Sequence, residues 1–349
     1  MEAIYLTEEN QSIWEDFAAK SDMAWFRHTV DWLKYSACCR FDSNTVNVSF
    51  LVKQSGKIQA IVPLLVEYDY QNPSTNVFAM YGDYTPLPAY ANESDIDRGK
   101  VDEFIWEEMG KIADKYHVTK AKFMVDPLIK YPYFNDFASF NLLERGFQLE
   151  FTTTNVVDLT LDIDVILRKM RKGHKAAVKQ VQQQGGYHVD IYDADTITPE
   201  QMQKFKQIHI KDAGRQTRTD ESWECMYHWV TSGMGCLALL YLDEIQDYAA
   251  GALIMCYKDA AYYASFATID SYMLNGHCGQ AIQWEVIKYL KEHGYSRYET
   301  GRNYYFEIQT EQDAKRMEIS KYQRGYRSVE VPKLMFVKER PITHNPSKF

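Results

Sequence analysis

The sequence predicts an α/β protein built from two tandem units, each with a mixed, mostly antiparallel sheet flanked by helices. The chain of 349 residues is long enough for two domains. Short apolar runs typical of strands alternate with segments whose apolar residues recur every three or four positions, as in amphipathic helices. The same order of hairpin, strand, loop, helix and strand occurs between residues 46 and 125 and again between 235 and 300.

In the first half, residues 2–6 are expected to form a strand, and helices are expected over 8–20 and around 29–35. Two β-rich runs, 46–53 and 57–68, flank a Gln-Ser-Gly turn that is typical of a hairpin. A further run, 77–81, leads into a Gly- and Pro-containing loop, a helix with apolar residues at steps of three and four, and a strand over 120–125.

The second half begins with a basic segment, residues 161–184, in which six cations fall within 12 residues. Its apolar positions predict one amphipathic helix with a cationic outer face, kinked at Gly173 and ended by Gly185. Helices are expected over 199–211 and 221–231, followed by a hairpin over 237–257, a strand over 262–268, a helix and a final strand over 297–300. The predicted domains are 1–155 and 156–340, with a tail at 341–349.

Composition limits the functional classes. The chain is 46% hydrophobic and 25% charged, which is ordinary for a globular protein, and its net charge of -9 argues against a role in coating nucleic acid with the whole surface. Neither a signal peptide nor a run of 18 apolar residues is found, so a cytoplasmic protein is expected. The six cysteines lack CxxC spacing, so free thiols and no metal site are expected. Phosphate-loop, dinucleotide-binding, zinc-protease and serine-hydrolase motifs are missing.

One loop has the composition of a phosphate site. Residues 275–281 are mostly small and run directly into a helix, where free backbone N–H groups and the helix dipole favour an anion. The loop resembles the Q/R-x-x-G-x-G/A loop of the GNAT acyltransferases: Gly279 and Ala281 match, whereas Gly276 stands where that family has Gln or Arg. A plain glycine-rich turn is the alternative.

A wider set of motifs resembles the Fem-type branch of the GNAT superfamily. In order, they are the aromatic pair Trp25-Phe26, the basic segment, the phrase Tyr298-Glu299-Thr300-Gly301, and an ending at 319–326 that is similar to I-x-x-F-K-x-G-F. The resemblance covers roughly residues 20 to 330. Proteins of this branch consist of two GNAT-like units, which agrees with the repeat seen in the sequence.

The resemblance implies transfer of an acyl group to an amine. The donor would be an acyl-CoA, and the acceptor an amino sugar, polysaccharide or cell-envelope precursor that is lipid-linked or nucleotide-linked. No permanently bound cofactor is expected. One alternative is an aminoacyl-tRNA donor acting on a peptidoglycan precursor. Another is a catalytically degenerate pair of units that only binds a carbohydrate precursor or a protein. The oligomeric state is left open.

The resemblance also assigns residues to the donor. The strand over 262–268 would splay from its neighbour and use backbone N–H groups to stabilise the oxyanion. The expected donor-binding residues are Gly276, Gly279, Gln280, Ala281 and Phe266. At the C-terminal motif, Tyr322 and Gln323 replace the family's Phe-Lys pair; Gln323 can donate a hydrogen bond but is uncharged. This substitution favours acyl-CoA over aminoacyl-tRNA.

Three residues are candidates for the chemistry. Glu299 lies at the end of a predicted strand, where ligands gather in α/β sheets, and is expected to act as a base or binding group. Asp83 is a candidate for contacting the acceptor, with a turn-forming role as the alternative. Tyr305 could donate a proton to a leaving group, with core packing as the alternative.

The cations are candidates for holding an anionic substrate. Against the acidic remainder of the chain, the basic segment would concentrate anions such as a diphosphate, the acceptor stem of a tRNA or an anionic inner-membrane surface. A solvated helix face is the alternative. The expected anion-binding residues are Arg168, Arg171, Lys172, Lys175 and Arg215.

Overall fold

The computed structural model describes residues 1–41, 44–68, 76–81, 83–92, 97–130, 140–269, 273–305, 310–326 and 329–339. The expected tail at 341–349 lies outside these residues. The chain forms two compact units. Unit 1 comprises Met1–Phe151 and the strand residues from Lys333 onward, and unit 2 comprises Thr152–Pro332.

Unit 1 contains three helices among its described residues, and its strands form two sheets. The helices are α1 (Gln11–Lys20), α2 (Val30–Cys38) and α3 (Arg98–Lys115). The strands are β1 (Glu2–Tyr5), β2 (Asn44–Asn47), β3 (Phe50–Gln54), β4 (Lys57–Val62), β5 (Leu65–Tyr68), β6 (Val77–Phe78), β7 (Thr85–Pro86), β8 (Ala89–Tyr90) and β9 (Lys120–Met124). One sheet has the order β1-β3-β4-β8, and in the other β2, β5, β6 and β9 are neighbours in that order.

Unit 2 contains the segments that carry most of the expected site residues. Its helices are α4 (Ile163–Lys169), α5 (Lys172–Gln184), α6 (Pro199–Ala213), α7 (Asp220–Thr231), α8 (Cys278–Glu292) and α9 (Glu311–Gln323). The strands β10 (Gln148–Asp158) and β16 (Val329–Glu339) cross the boundary between units, and the others are β11 (Tyr187–Tyr192), β12 (Gly235–Leu242), β13 (Asp247–Tyr257), β14 (Ala260–Thr268) and β15 (Arg297–Arg302). The sheet of unit 2 has the order β11-β12-β13-β14-β15-β10.

Helices cover both faces of this sheet. On one face α5 and α8 bury apolar side chains against alternate residues of β12 and β13, because successive side chains of a strand point to opposite faces. On the other face α6 packs on β13 and β14. There Gly251 is required, since a β-carbon would lie 2.7 Å from Cδ2 of Phe205.

The predicted fold class is confirmed. In unit 1 the hairpin β3–β4 is followed by β5, β6, β7, β8, α3 and β9, and in unit 2 the hairpin β12–β13 is followed by β14, α8 and β15. In unit 2 the strands on either side of α8 pair in parallel, and in unit 1 the strand after α3, β9, pairs in parallel with β6 and β7. Helix starts follow local capping chemistry: the hydroxyls of Thr198 and Thr219 accept backbone N–H groups at the starts of α6 and α7.

The prediction of a single basic helix over 161–184 is wrong. The segment forms α4 and α5, and the break lies at Met170 and Arg171, whose ψ angles of 150° and 148° are extended. The Met170 side chain is buried, and the Arg171 N–H donates to the Gly325 carbonyl at 2.8 Å, which fixes the chain between the helices. Gly173, expected at the kink, lies inside the first turn of α5.

None of the helices in the described part of the chain combines the length and apolar character needed to cross a membrane.

Candidate functional site

Strands β14 and β15 separate in the middle of the sheet of unit 2. They pair in parallel through Ala260 with Arg297, Ala261 with Tyr298, and Tyr262 with Glu299, and their register extends no further. Just beyond, each strand bulges along its other neighbour: β14 at Ala264 and β15 at Thr300. Because a bulge bends and twists its strand, the two strands diverge after Tyr262 and Glu299. The splayed strand expected over 262–268 is therefore present.

Glu299 is the last residue of β15 that pairs with β14. Its side chain is fully buried, and the Thr154 hydroxyl donates to its Oε1 at 2.6 Å. Burial of a carboxyl group needs such partners, because an unpaired charge in the interior is costly. The structure thus holds a buried acidic group at the point where the two strands diverge.

A buried polar network continues from Glu299 along β10. Asn155 donates from Nδ2 to Oδ1 of Asn303 at 2.8 Å and to the Gly301 carbonyl at 3.1 Å. Asn303 in turn donates from Nδ2 to the Thr153 hydroxyl at 2.7 Å. Our sequence analysis missed these residues. The signal was the unbroken run of four polar residues from Thr152 to Asn155 directly before two valines, because polar side chains that become buried need hydrogen-bond partners.

The C-terminal motif reaches the divergence point through Gln323. A β-carbon on Gly301 would lie 2.0 Å from Nε2 of Gln323, so the amide rests directly on the backbone of β15. The Gly301 φ angle of +131° also favours glycine. Gln323 Oε1 is buried and has no hydrogen-bond partner among the described residues. Gln323, the last residue of α9, therefore contacts β15 at Gly301, two residues after Glu299.

Two neighbours of Gln323 contact the helices around the site. The Tyr322 hydroxyl lies 2.7 Å from where a β-carbon of Gly279 would be, in the first turn of α8. A β-carbon on Gly325 would lie 2.0 Å from Cε1 of His174, in α5. Burial lowers the pKa of His174. The motif thus packs on both helices through positions where no side chain fits.

The start of α8 retains the features of an anion site. Leu274, Asn275 and Gly276 have positive φ angles of 50°, 55° and 79°, which turn the chain sharply before the helix. The Ala281 N–H donates to the His277 carbonyl. The amides of Gly279 and Gln280 have no acceptor among the residues that the structure describes. The contact with Tyr322 gives Gly279 a packing role as well.

Four tyrosines, two of them buried and two half-buried, form a cluster in unit 2. Burial raises the pKa of each hydroxyl well above its usual value, so all of them stay protonated at neutral pH. Tyr298 donates to Oε1 of Gln283 at 2.7 Å, and the hydroxyls of Tyr322 and Tyr326 are 2.7 Å apart. The cluster consists of Tyr263, Tyr298, Tyr322 and Tyr326. Phe266, expected to bind the donor, packs beside Tyr263 with ring centroids 6.3 Å apart.

The other two candidates for the chemistry, Tyr305 and Asp83, are exposed side chains. Tyr305 follows β15, is 55% exposed, and its hydroxyl is 2.8 Å from that of Thr153 and 3.1 Å from Oε2 of Glu330. The core-packing alternative for Tyr305 is therefore wrong. Asp83 belongs to unit 1, is exposed, and its N–H donates to the Met80 carbonyl, which closes a turn.

The expected anion-binding cations lie on the surface of unit 2. On α4, α5 and the link between them, Arg168, Arg171 and Lys172 are exposed and Lys175 is half-buried. Within the described part of the chain none of the four forms an ion pair. Arg215 is exposed on the link between α6 and α7, whereas Arg218 on the same link is half-buried and reaches Ser265 of β14.

Comparison with known proteins agrees with this geometry. Residues 168–315 match a family model described as an acetyltransferase (GNAT) domain. The chain resembles the crystal structure of FemX with a TM-score of 0.66 at 12% identity, over 96% of this chain and 97% of that one. It resembles L-PGS from Bacillus licheniformis with a TM-score of 0.60 at 14% identity, over 99% and 96%. No curated protein sequence gives a significant match.

A third solved structure carries the expected duplication. A tandem GNAT protein from the clavulanic acid biosynthesis pathway is similar over 97% of this chain and 98% of its own, with a TM-score of 0.54 at 13% identity. Residues 168–315 are therefore similar to a GNAT domain, and the chain as a whole has the fold of FemX and of this tandem GNAT protein. The resemblance inferred from the motifs is confirmed.

Proposed function

We propose that the protein is an N-acyltransferase that moves an acyl group from an acyl-CoA donor to an amine of an amino sugar, polysaccharide or cell-envelope precursor. The observation that carries this proposal is the divergence of β14 from β15 at Tyr262 and Glu299. It leaves strand edges whose amides have no partner in the facing strand. Such fixed N–H groups stabilise the oxyanion that develops during acyl transfer.

In the proposed reaction, the amine nitrogen forms a bond to the thioester carbonyl carbon, and the carbon–sulfur bond then breaks to release the thiolate, which takes a proton from Tyr305 or from water. The amine must be neutral to attack, and it loses a proton as the amide forms. Glu299 is suited to receive that proton, directly or through water, since the hydrogen bond from Thr154 orients its carboxyl group at the divergence point. Holding both reactants there supplies a large part of the rate.

The remaining residues have supporting roles in the proposal. The amides of Gly279 and Gln280 at the start of α8 would hold the donor's phosphates, with Gly276 allowing the turn before them. Gln323, packed on Gly301, would donate a hydrogen bond near the transferring carbonyl. The cations of α4 and α5, with Arg215, would attract an anionic substrate. Asp83 remains a candidate for contacting the acceptor, and Tyr305 for donating a proton to the leaving group.

A second candidate function keeps the fold and uses aminoacyl-tRNA. It is favoured by the likeness to FemX and by the exposed cations on α4 and α5, which could hold a nucleic-acid backbone. It is disfavoured by Gln323, which carries no charge where the family has lysine. A binding protein without activity is the remaining alternative, since the contact of Tyr322 with Gly279 crowds the start of α8.

Ligand-dependent thermal stability separates these functions. A ligand that binds the folded state raises the melting temperature by mass action. We expect CoA and acetyl-CoA to raise it, and charged and uncharged tRNA to leave it unchanged. Stabilisation by charged tRNA alone would favour the second candidate. Stabilisation by nucleotide sugars alone would favour a carbohydrate-binding role.

A further inference from the structure

A half-buried cation lies against the splayed part of β14. The guanidinium of Arg218 donates from Nη1 and Nη2 to the Ser265 hydroxyl at 3.3 and 3.2 Å. Ser265 lies just past the bulge at Ala264, in the segment that no longer pairs with β15. Because Ser265 is paired with Leu253, its side chain points to the face covered by α6. Arg218 therefore lies at the divergence point, on the face opposite α8.

This cation has no negatively charged partner in the described part of the chain. Its polar side-chain contacts are Ser265 and His209, whose Nε2 is 3.3 Å from Nη1 of Arg218. Asp220, two residues along, is instead held by Lys206 and Gln216, each at 2.7 Å. A half-buried guanidinium without a carboxylate partner is suited to bind an added anion, because it presents several donors in a planar fork.

Its surroundings also favour an anion. Burial and the charge of Arg218 lower the pKa of His209 to about 4, so this imidazole is neutral at pH 7 and its Nε2 can accept a hydrogen bond from Nη1 of Arg218, which orients the guanidinium. Trp223, 4% exposed, has its ring centroid 5.5 Å from the Arg218 guanidinium carbon. The Trp223 indole N–H and the Thr217 hydroxyl are buried donors with no partner among the described residues. Buried donors in this state are rare in native proteins.

We infer that Arg218, His209 and Ser265 form a subsite for an anionic oxygen group, a carboxylate or a phosphate, on the acceptor that carries the amine. The inference rests on the proposed acyl transfer and deepens it, since it restricts the acceptor to amines that carry such a group. The subsite lies beside the splayed strand, so an anion bound there places a neighbouring amine near the divergence point.

The test follows the Trp223 indole N–H and the His209 ring by NMR at pH 7, with signals assigned through Trp223→Phe and His209→Gln. Inorganic phosphate and acetate are titrated separately. We expect at least one of them to give a saturable shift of both signals, and the effective anion identifies the group. The shift should be lost in Arg218→Gln, weakened in Arg218→Lys and retained in the control Lys211→Gln, which removes an exposed charge from α6.

The pKa of His209 in Arg218→Gln, measured without added anion, gives a second readout. Removing the charge of Arg218 should raise the pKa of His209 toward its ordinary value, and neither anion should change it further in Arg218→Gln. The inference is overturned if neither anion shifts the wild-type signals, or if Arg218→Gln responds as strongly as the wild type. Stabilisation by acetyl-CoA is measured on the same samples. If acetyl-CoA does not stabilise the wild-type protein, the proposed donor is contradicted. If acetyl-CoA stabilises Arg218→Gln as it does the wild type, the donor site of the variant is intact.

Discussion

The side-chain amide of Gln323 rests on the α-carbon of Gly301, so closely that a β-carbon on Gly301 would lie 2.0 Å from Nε2. The contact joins the C-terminal motif to the strand that carries Glu299. It also explains why a glycine is needed two residues after the candidate base. A longer side chain at 301 would displace the amide and force the strand out of its φ of +131°.

We expect Gly301→Ala to destabilise the protein by about 1–3 kcal/mol through backbone strain, with a further loss from the contact with Gln323. Adding Gln323→Ala should recover only the stability lost through the contact with Gln323, and the loss from backbone strain should remain. Chemical denaturation of the two variants and their combination measures both. The control is Gly173→Ala in α5, where a β-carbon meets nothing within 4 Å and stability should rise by up to about 1 kcal/mol. Equal stability of Gly301→Ala and wild type would contradict this interpretation.

Glu299→Gln should lower kcat by roughly 100-fold or more while acetyl-CoA binding changes little, since a proton acceptor is lost but the oxygen facing Thr154 is kept. Steady-state kinetics with an acceptor amine and calorimetric titration with acetyl-CoA give the two values. Glu311→Gln, at the exposed start of α9, is the matched control and should behave as wild type. Unaltered turnover in Glu299→Gln would remove this residue from the chemistry.

Reversing two charges on the basic surface should abolish binding of an anionic ligand with little change in melting temperature. The variant is Arg171→Glu with Lys175→Glu, and the control reverses the exposed Lys34 and Lys211. Binding of a nucleotide sugar, of tRNA and of anionic vesicles is compared in parallel for wild type, variant and control. A large fall in melting temperature would show that Arg171 and Lys175 are structural. Equal losses in the control would point to a general charge effect.

Unit 1 should become less stable as pH rises, through Asp102. Burial raises the pKa of this carboxyl group to about 7, from 3.8 in the unfolded chain, while the Tyr90 hydroxyl donates to it. The folded state then binds the proton more tightly. The contribution, at most about 4 kcal/mol, is complete below pH 4 and lost as pH rises to about 7.

Urea denaturation of wild type and Asp102→Asn at pH 5 and pH 8 tests this dependence. The variant has no charge to bury, so its stability relative to wild type should increase at the higher pH. A difference that is the same at both pH values would contradict the assignment. The buried ion pair of Arg27 and Asp126 changes stability with pH in the opposite direction, because the pKa of Asp126 is lowered. Both proteins contain this pair, so its effect cancels in the comparison.

Local patterns were sufficient for most of the fold. The periodicity of residues such as Ile282 and Val286, both buried in α8, predicted helices and strands in the correct order. The break at Met170 and Arg171 could not be predicted in this way, because the hydrogen bond that fixes it comes from Gly325, more than 150 residues along the chain. Spacing within a segment contains no information on such a partner.

The site was predicted less completely than the fold. Glu299 was identified from its position at a strand end, but its partner Thr154 lies on a strand 145 positions earlier and carries no motif. From the sequence, Arg215 was named as an anion-binding residue and Arg218 was not, although both lie in the polar link between α6 and α7. Their different burial follows from the contact of Arg218 with Ser265 of β14. A tertiary contact thus decides which of two similar side chains is held against the sheet.

The central claim is that an acyl-CoA donor binds where β14 leaves β15. Hydrogen exchange measured by mass spectrometry, with and without acetyl-CoA, tests it most directly. The account predicts slower amide exchange in peptides covering residues 262–268 and 276–281, at acetyl-CoA concentrations that also raise the melting temperature. Unchanged exchange in both peptides under saturating acetyl-CoA, or protection confined to other parts of the chain, would contradict it.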